Sequence, residues 1–92
     1  MRIEWTLPAL QHIREAREYI AIDNPTAAVH QIDLLEVAVN HLRIFPMMGR
    51  VGRRDGTREL PVPGTPYIVV YRQKEKTVQV LAVLHGARNW KE

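Results

Sequence analysis

Apolar residues recur at helical spacing early in the chain. They stand four, three and four positions apart, at Ala9, Ile13, Ala16 and Ile20. Charged and amide side chains fill the opposite face, so the segment is amphipathic. Thr6 is a suitable N-cap, and Pro8 falls in the first turn, where its missing N–H costs little. The pattern predicts a helix over residues 7–22.

A second apolar stripe of the same period follows Asn24 and Pro25. Asn24 can cap this helix, with Pro25 at its first position. The apolar positions of the stripe are Ala28, Ile32, Leu35, Val39 and Leu42. The pattern predicts a helix from residue 25 to about residue 43. Because the link between the helices is short, we expect them to form an antiparallel hairpin.

Shorter apolar runs, bounded by turn-forming residues, predict strands in the rest of the chain. The predicted strands span residues 2–5, 57–62, 67–72 and 77–84. Pro61 lies within the second of these, which indicates a sheet edge or a bulge. The glycine, proline and charged residues of segment 46–56 predict a loop.

The element order β-α-α-β-β-β predicts an α+β fold in a single domain that spans residues 1–92. The last three strands form an antiparallel meander, and the first strand adds most simply at one edge of this antiparallel sheet. A two-helix hairpin packs on one face of the sheet. The chain supplies too little to cover the other face, and a partly bare apolar face predicts a binding partner.

Charge adds to this prediction of a partner. The net charge is +3, and all but three of the thirteen basic residues are arginines. Arg50, Arg53, Arg54 and Arg58 fall within one short segment. The planar guanidinium fork suits bidentate pairing with carboxylate or phosphate, so the segment is a candidate site for an acidic partner. A solvated basic loop is the simpler interpretation.

Several kinds of chemistry are excluded by residue types and motifs that the sequence lacks. It has no cysteine, which removes thiolate metal sites and cysteine nucleophiles and suits a reducing cytosol. It has no serine, no glycine-rich phosphate loop and no zinc-ligand spacing. We therefore expect no metal and no cofactor. Neither a membrane span nor a secretion signal is expected, because the apolar runs are too short.

A few polar residues near the predicted sheet are candidates for chemistry. His85 follows the last strand and could act as a general acid or base, although a strand-end histidine with a backbone hydrogen bond is simpler. Arg58 and Arg88 could reach the same sheet edge. Together with His85 they could stabilise the charge that develops in phosphodiester cleavage, or bind a partner's carboxylates. Trp90 could stack on a base, although packing over the end of the sheet is simpler.

Four segments of the chain, in this order, resemble the toxins of the RelE/ParE superfamily from type II toxin–antitoxin modules. They are EWTLPALQHIREAREYIAIDNPTAA, GRVGRRDGTREL, PYIVVYR and VQVLAVLHGARNW. The resemblance covers nearly the whole chain. It implies a cytoplasmic bacterial toxin that a cognate antitoxin holds inactive. The antitoxin's acidic, helical tail typically wraps the toxin and adds a helix or strand, which suits the partly covered sheet.

The superfamily divides into two activities. The toxins that cleave mRNA on the ribosome usually have an arginine second in the segment equivalent to YIVVY, where this chain has Ile68. An apolar run that ends in Leu84 and His85 is common in the ParE branch, which inhibits DNA gyrase. The resemblance therefore favours a non-catalytic gyrase inhibitor that blocks replication. The alternative is a ribosome-dependent mRNA endoribonuclease that blocks translation, with Arg58, His85 and Arg88 in its site. For binding to the antitoxin or the target, the candidate residues are Arg50, Arg53, Arg54, Arg58, Arg72, His85, Arg88 and Trp90.

Overall fold

The computed structural model describes residues 1–86, which form two helices and a five-stranded sheet. In chain order the elements are β1 (Arg2–Trp5), α1 (Leu7–Asp23), α2 (Pro25–His41), β2 (Arg50–Val51), β3 (Arg58–Pro61), β4 (Tyr67–Lys74) and β5 (Thr77–His85). The strands lie in the order β1-β5-β4-β3-β2. The two helices pack on one face of the sheet, so the predicted α+β fold with a helical hairpin is confirmed.

One asparagine joins the two helices. Its backbone N–H donates to the carbonyl of Ile20 at the end of α1, and its side-chain Oδ1 accepts from the backbone N–H of Ala27 at 3.0 Å. Asn24 therefore ends one helix and caps the next, which keeps the link to a single residue. At the start of α1, Thr6 Oγ1 accepts from the N–H of Ala9 as the sequence predicts.

The sheet differs from the sequence prediction in two respects. The predicted loop 46–56 contains the two-residue strand β2, which pairs with Arg58 and Glu59 of β3. The sheet is also not wholly antiparallel, because β1 runs parallel to β5. The strand β2 is too short for its residues to show the alternation that predicts a strand. The direction of β1 depends on where the helical hairpin returns the chain to the sheet. Pro61 lies beyond the two residues that pair with β2, where β3 is an edge, as predicted.

Beyond Val80, where β1 ends, β5 contacts α1 instead, and the backbone N–H of Val83 donates to His12 Nδ1 at 3.2 Å. The register of β4 and β5 shifts so that Tyr71 faces Val80 while Val70 faces Ala82, which leaves a bulge at Leu81. The hydroxyl of Thr6 donates to the Val80 carbonyl at 2.8 Å. These contacts fix the start of α1 over the sheet.

The core lies between the helices and the sheet. It contains the buried stripe of each helix and the alternate residues of the central strands, and its fully covered side chains include Leu35, Val69, Tyr71, Val78 and Val80. The residues between these positions on β4 and β5 are only half-buried or exposed. Neither helix within residues 1–86 is long and apolar enough to cross a bilayer.

Candidate binding surfaces

The segment between α2 and β3 is anchored by one buried hydroxyl. Tyr71 Oη donates to the carbonyl of Pro46 at 2.8 Å and accepts from the backbone N–H of Gly49 at 2.9 Å. Burial raises the pKa of Tyr71, against the smaller opposing effects of the Gly49 hydrogen bond and the Arg58 charge. A Cβ at Gly49 would lie 2.8 Å from the Tyr71 ring, so a larger residue there would displace the segment.

A buried carboxylate fixes the backbone of the arginine-rich part of this segment. Glu59 is 4% exposed, and its Oε2 accepts from the backbone N–H of Arg53 at 3.0 Å. Its Oε1 lies 3.4 Å from Arg50 Nη2. Arg53 and Arg54 are exposed. The loop therefore presents its guanidinium groups from an ordered backbone rather than from a free coil.

Apolar side chains on the same segment face solvent. They are Ile44, Phe45, Met47, Met48 and Val51, which are between 45% and 79% exposed, and together we call them the apolar patch. Because Tyr71 and Glu59 hold the backbone on both sides of Met48, these side chains are presented in a fixed arrangement. An exposed apolar patch of this kind, next to arginines, is typical of a protein-binding surface.

A groove of about 550 Å³ lies between β1, α1 and α2. Its apolar lining consists of Ile3, Trp5, Leu10, Ile13 and Val37. Its polar lining consists of Arg17, Glu36, Asn40, His41 and Arg43. The lining of the groove combines apolar side chains with charged ones, which suits the apolar face of a partner helix.

The face of the sheet that turns away from the helices, called here the open face, is divided into two halves. Cross-strand partners share a face, so the half-buried Ile68 and Val70 lie beside Leu84 and Ala82 in an aliphatic half. Arg72 lies beyond them, in a polar half. Ile68, where the RNA-cleaving branch usually has arginine, therefore belongs to an aliphatic surface.

The candidate catalytic residues are not brought together within residues 1–86. Arg58 on β3 faces Tyr71, and its Nη1 donates to the carbonyl of Gly49 at 2.8 Å. His85 on β5 faces Tyr67 and packs edge-on against its ring, with ring centroids 5.5 Å apart. Tyr67 and Tyr71 are four residues apart on β4, or about 13 Å along the strand. Arg88 and Trp90 lie outside the described residues.

Nearly the whole sequence matches the model of a known family. Residues 3–90 match the family described as the ParE toxin of the type II toxin–antitoxin system, parDE. The chain belongs to the ParE toxin family. It is therefore the toxin component of a type II toxin–antitoxin system, as the resemblance implied.

Two relatives agree with this assignment, and one solved structure shares the fold. The Y4kP protein of Sinorhizobium fredii, which is named as a toxin, is 40% identical over 97% of this chain and 92% of its own length. Toxin RelE2 of Caulobacter vibrioides is 29% identical over 95% of this chain and 97% of its own length. A chain of the chromosomal ParDE system from P. aeruginosa has the same fold, with a TM-score of 0.80 at 23% identity over 90% of this chain and 92% of that chain.

Two residues that organise the binding surface of this ParE toxin, Glu59 and Tyr71, were not predicted from the sequence. Only two carboxylates, those of Asp55 and Glu59, stand beside the arginines of residues 50–58, and this was a usable signal for Glu59. Nothing local marks Tyr71, because its two partners lie 25 and 22 residues earlier in the chain. Within the described part of the toxin, no group of three or more His, Cys, Asp or Glu side chains is placed to hold a metal ion.

Proposed function

We propose that this ParE toxin inhibits DNA gyrase by binding it, without chemistry of its own, and so blocks replication in the bacterial cytoplasm. The observation that carries the proposal is the placement of the two candidate catalytic residues. Arg58 is engaged with Gly49 near the β2 edge, whereas His85 packs on Tyr67 at the far end of β5. Ile68 gives the open face an aliphatic side chain where RNA cleavage would use a cation.

The surface proposed to contact gyrase is the apolar patch together with Arg50, Arg53 and Arg54. Apolar side chains with adjacent arginines are characteristic of protein–protein interfaces, where arginine supplies charge-assisted hydrogen bonds. Glu59 uses its carboxylate on Arg50 and on the backbone of Arg53. It therefore organises the loop and leaves the surface basic, which fits an acidic region of the target.

The partner proposed for the groove is the cognate antitoxin. Membership of a type II toxin–antitoxin family implies such a partner. Ile3, Trp5 and Val37 offer apolar contacts in the groove. Arg17 and Arg43 outnumber the one carboxylate of its lining, which is that of Glu36. An acidic helical tail with one apolar face would bury that face against the apolar lining and pair its carboxylates with Arg17 and Arg43.

The decisive experiment uses purified toxin in two assays. We expect it to inhibit negative supercoiling of relaxed plasmid by DNA gyrase, and adding the antitoxin should restore activity. In the second assay, ribosomes that carry a labelled mRNA should leave the message intact. Cleavage of mRNA with unaffected supercoiling would replace the proposal with the endoribonuclease alternative. The matched control in both assays is His85→Ala, because loss of one base should abolish cleavage but not binding to gyrase.

A further inference from the structure

Three polar side chains form a hydrogen-bonded row across the open face of the sheet. Arg72 Nε donates to Gln79 Oε1 at 2.7 Å, and Gln79 Nε2 donates to Glu4 Oε1 at 2.8 Å. The three residues are cross-strand partners on β4, β5 and β1. A guanidinium only donates and a carboxylate only accepts, so the row fixes which way the Gln79 amide points.

The row orients Arg72 without neutralising it. Gln79 stands between the guanidinium and the carboxylate of Glu4, and no acidic side chain of residues 1–86 forms an ion pair with Arg72. Within residues 1–86 the guanidinium makes no hydrogen bond or ion pair other than the one from Nε. Its Nη1 and Nη2 groups remain for an outside ligand. A side chain that is already oriented loses less conformational freedom when it binds.

The surroundings of Arg72 select the chemistry of that ligand. The neighbouring set of cross-strand partners on the open face consists of Lys74, Thr77 and Arg2. This part of the face is therefore positively charged. On its other side Arg72 adjoins the aliphatic half. The Nη1–Nη2 fork matches an oxyanion bidentately. The site therefore fits a segment that places a carboxylate beside apolar side chains.

An acidic polypeptide fits this face better than a nucleic acid. Proteins that bind single strands stack the bases on aromatic side chains. All three aromatic residues of the strands turn away from the open face: Trp5 lines the groove, and Tyr67 and Tyr71 are buried in the core. Within residues 1–86, the aliphatic half offers contact area but no aromatic side chain on which a base could stack.

We infer that Arg72 binds a carboxylate of the antitoxin tail, and that Gln79, held by Glu4, is a positioning residue for this contact. The inference rests on the proposed function, and it extends the groove across the β1 edge. Ile3 and Trp5 of β1 line the groove, while Glu4 lies on the open face. A tail that fills the groove and crosses β1 reaches Arg72 after two strand spacings, or about 10 Å.

The test measures the Kd of the co-encoded antitoxin for the full toxin and four single variants, at low and high salt. Arg72→Lys keeps the positive charge but removes the two guanidinium N–H groups that pair with a carboxylate, and we expect about tenfold weaker binding. Gln79→Leu removes no charge, yet should weaken binding about fivefold because Arg72 is no longer oriented. Gln79→Glu should weaken it about tenfold, because a carboxylate then pairs with Arg72 directly. The control is Lys76→Gln, which removes a charge from the exposed turn between β4 and β5 and should cost less than about twofold.

The outcomes separate this inference from the proposed function. If the toxin inhibits gyrase and binds the antitoxin, but Arg72→Lys and both Gln79 variants bind like wild type, the Arg72 site is wrong and the proposed function stands. If only Arg72→Lys has an effect, the positioning role of Gln79 is wrong. If the toxin neither binds the antitoxin nor inhibits gyrase, both fail. A single-stranded RNA oligonucleotide that binds wild type but not Arg72→Lys, with antitoxin binding unchanged, would assign the site to nucleic acid and overturn the inference.

Discussion

At the scale of single residues, the Tyr71 hydroxyl links the sheet to the segment that carries the apolar patch. Tyr71→Phe removes the hydrogen bonds to Pro46 and Gly49 and leaves a buried N–H without its partner. We expect the free energy of unfolding, measured by urea denaturation near neutral pH, to fall by about 1–3 kcal/mol. The control is Tyr19→Phe, which alters a side chain that is 61% exposed and should leave stability unchanged. An equal effect of both substitutions would contradict this role for Tyr71.

The same residue makes stability depend on pH at the alkaline end. Burial raises the pKa of Tyr71 in the folded chain above its ordinary value of 10.0, so the unfolded chain releases this proton first. The stabilisation is therefore fully present below about pH 10 and is lost as the pH rises through the folded-state pKa. We expect the stability difference between wild type and Tyr71→Phe to shrink above about pH 10 in urea titrations. A difference that stays constant through that range would contradict the linkage.

At the scale of elements, β5 extends beyond its neighbour β1 and depends on α1 there. β1 ends opposite Val80, and the backbone N–H of Val83 donates to His12 Nδ1 at 3.2 Å. His12→Ala should lower the free energy of unfolding by about 1 kcal/mol and speed hydrogen exchange of the Val83 amide. His12→Asn should restore much of the protection, because its Oδ1 can take the place of Nδ1. His30→Ala, on the exposed face of α2, is the control, and unchanged exchange in His12→Ala would disprove the role of His12.

The elements that the sequence predicts well are those with local signals. Asn24 and Pro25 mark the junction of the helices, and both helices begin at the predicted residue and end within two residues of the prediction. The strand β2 could not be predicted, because it pairs through two residues only and its position depends on Tyr71 and Glu59. The parallel direction of β1 depends on the path of the whole helical hairpin. No local sequence pattern indicates that path.

At the scale of the molecule, the sequence predicts which residues form the candidate site but not how they are arranged in space. The arginine segment and the partly bare sheet face are visible in the sequence because they are clusters of one residue type. The row from Glu4 through Gln79 to Arg72 joins residues up to 75 positions apart, so only the fold reveals it. The separation of Arg58 from His85 likewise follows from strand order rather than from any spacing in the chain.

The basic loop should bind the target in a salt-dependent way. Charge reversal of two exposed residues, Arg53→Glu with Arg54→Glu, should raise the toxin concentration needed for half-inhibition of gyrase. The increase should be largest at low salt, because screening weakens contacts between exposed charges. Arg14→Glu on the exposed surface of α1 is the control for net charge. If the toxin concentration for half-inhibition rises equally at low and high salt, apolar contacts rather than charges dominate the binding to gyrase.

The apolar patch and the groove should also be separable, because they share no residue. Met47→Ser with Val51→Ser removes two of the most exposed side chains of the patch, which are 67% and 79% exposed. Burial of such side chains on binding contributes about 1–2 kcal/mol each, so half-inhibition of gyrase should need at least about tenfold more toxin. Antitoxin affinity, measured on the same preparations, should be unchanged. Leu7→Ser with Ile22→Ser, at equally exposed positions outside the patch, should leave gyrase inhibition intact. If this control weakens inhibition as much as the patch variant does, the target does not bind the patch selectively, and the proposed division of the surface fails.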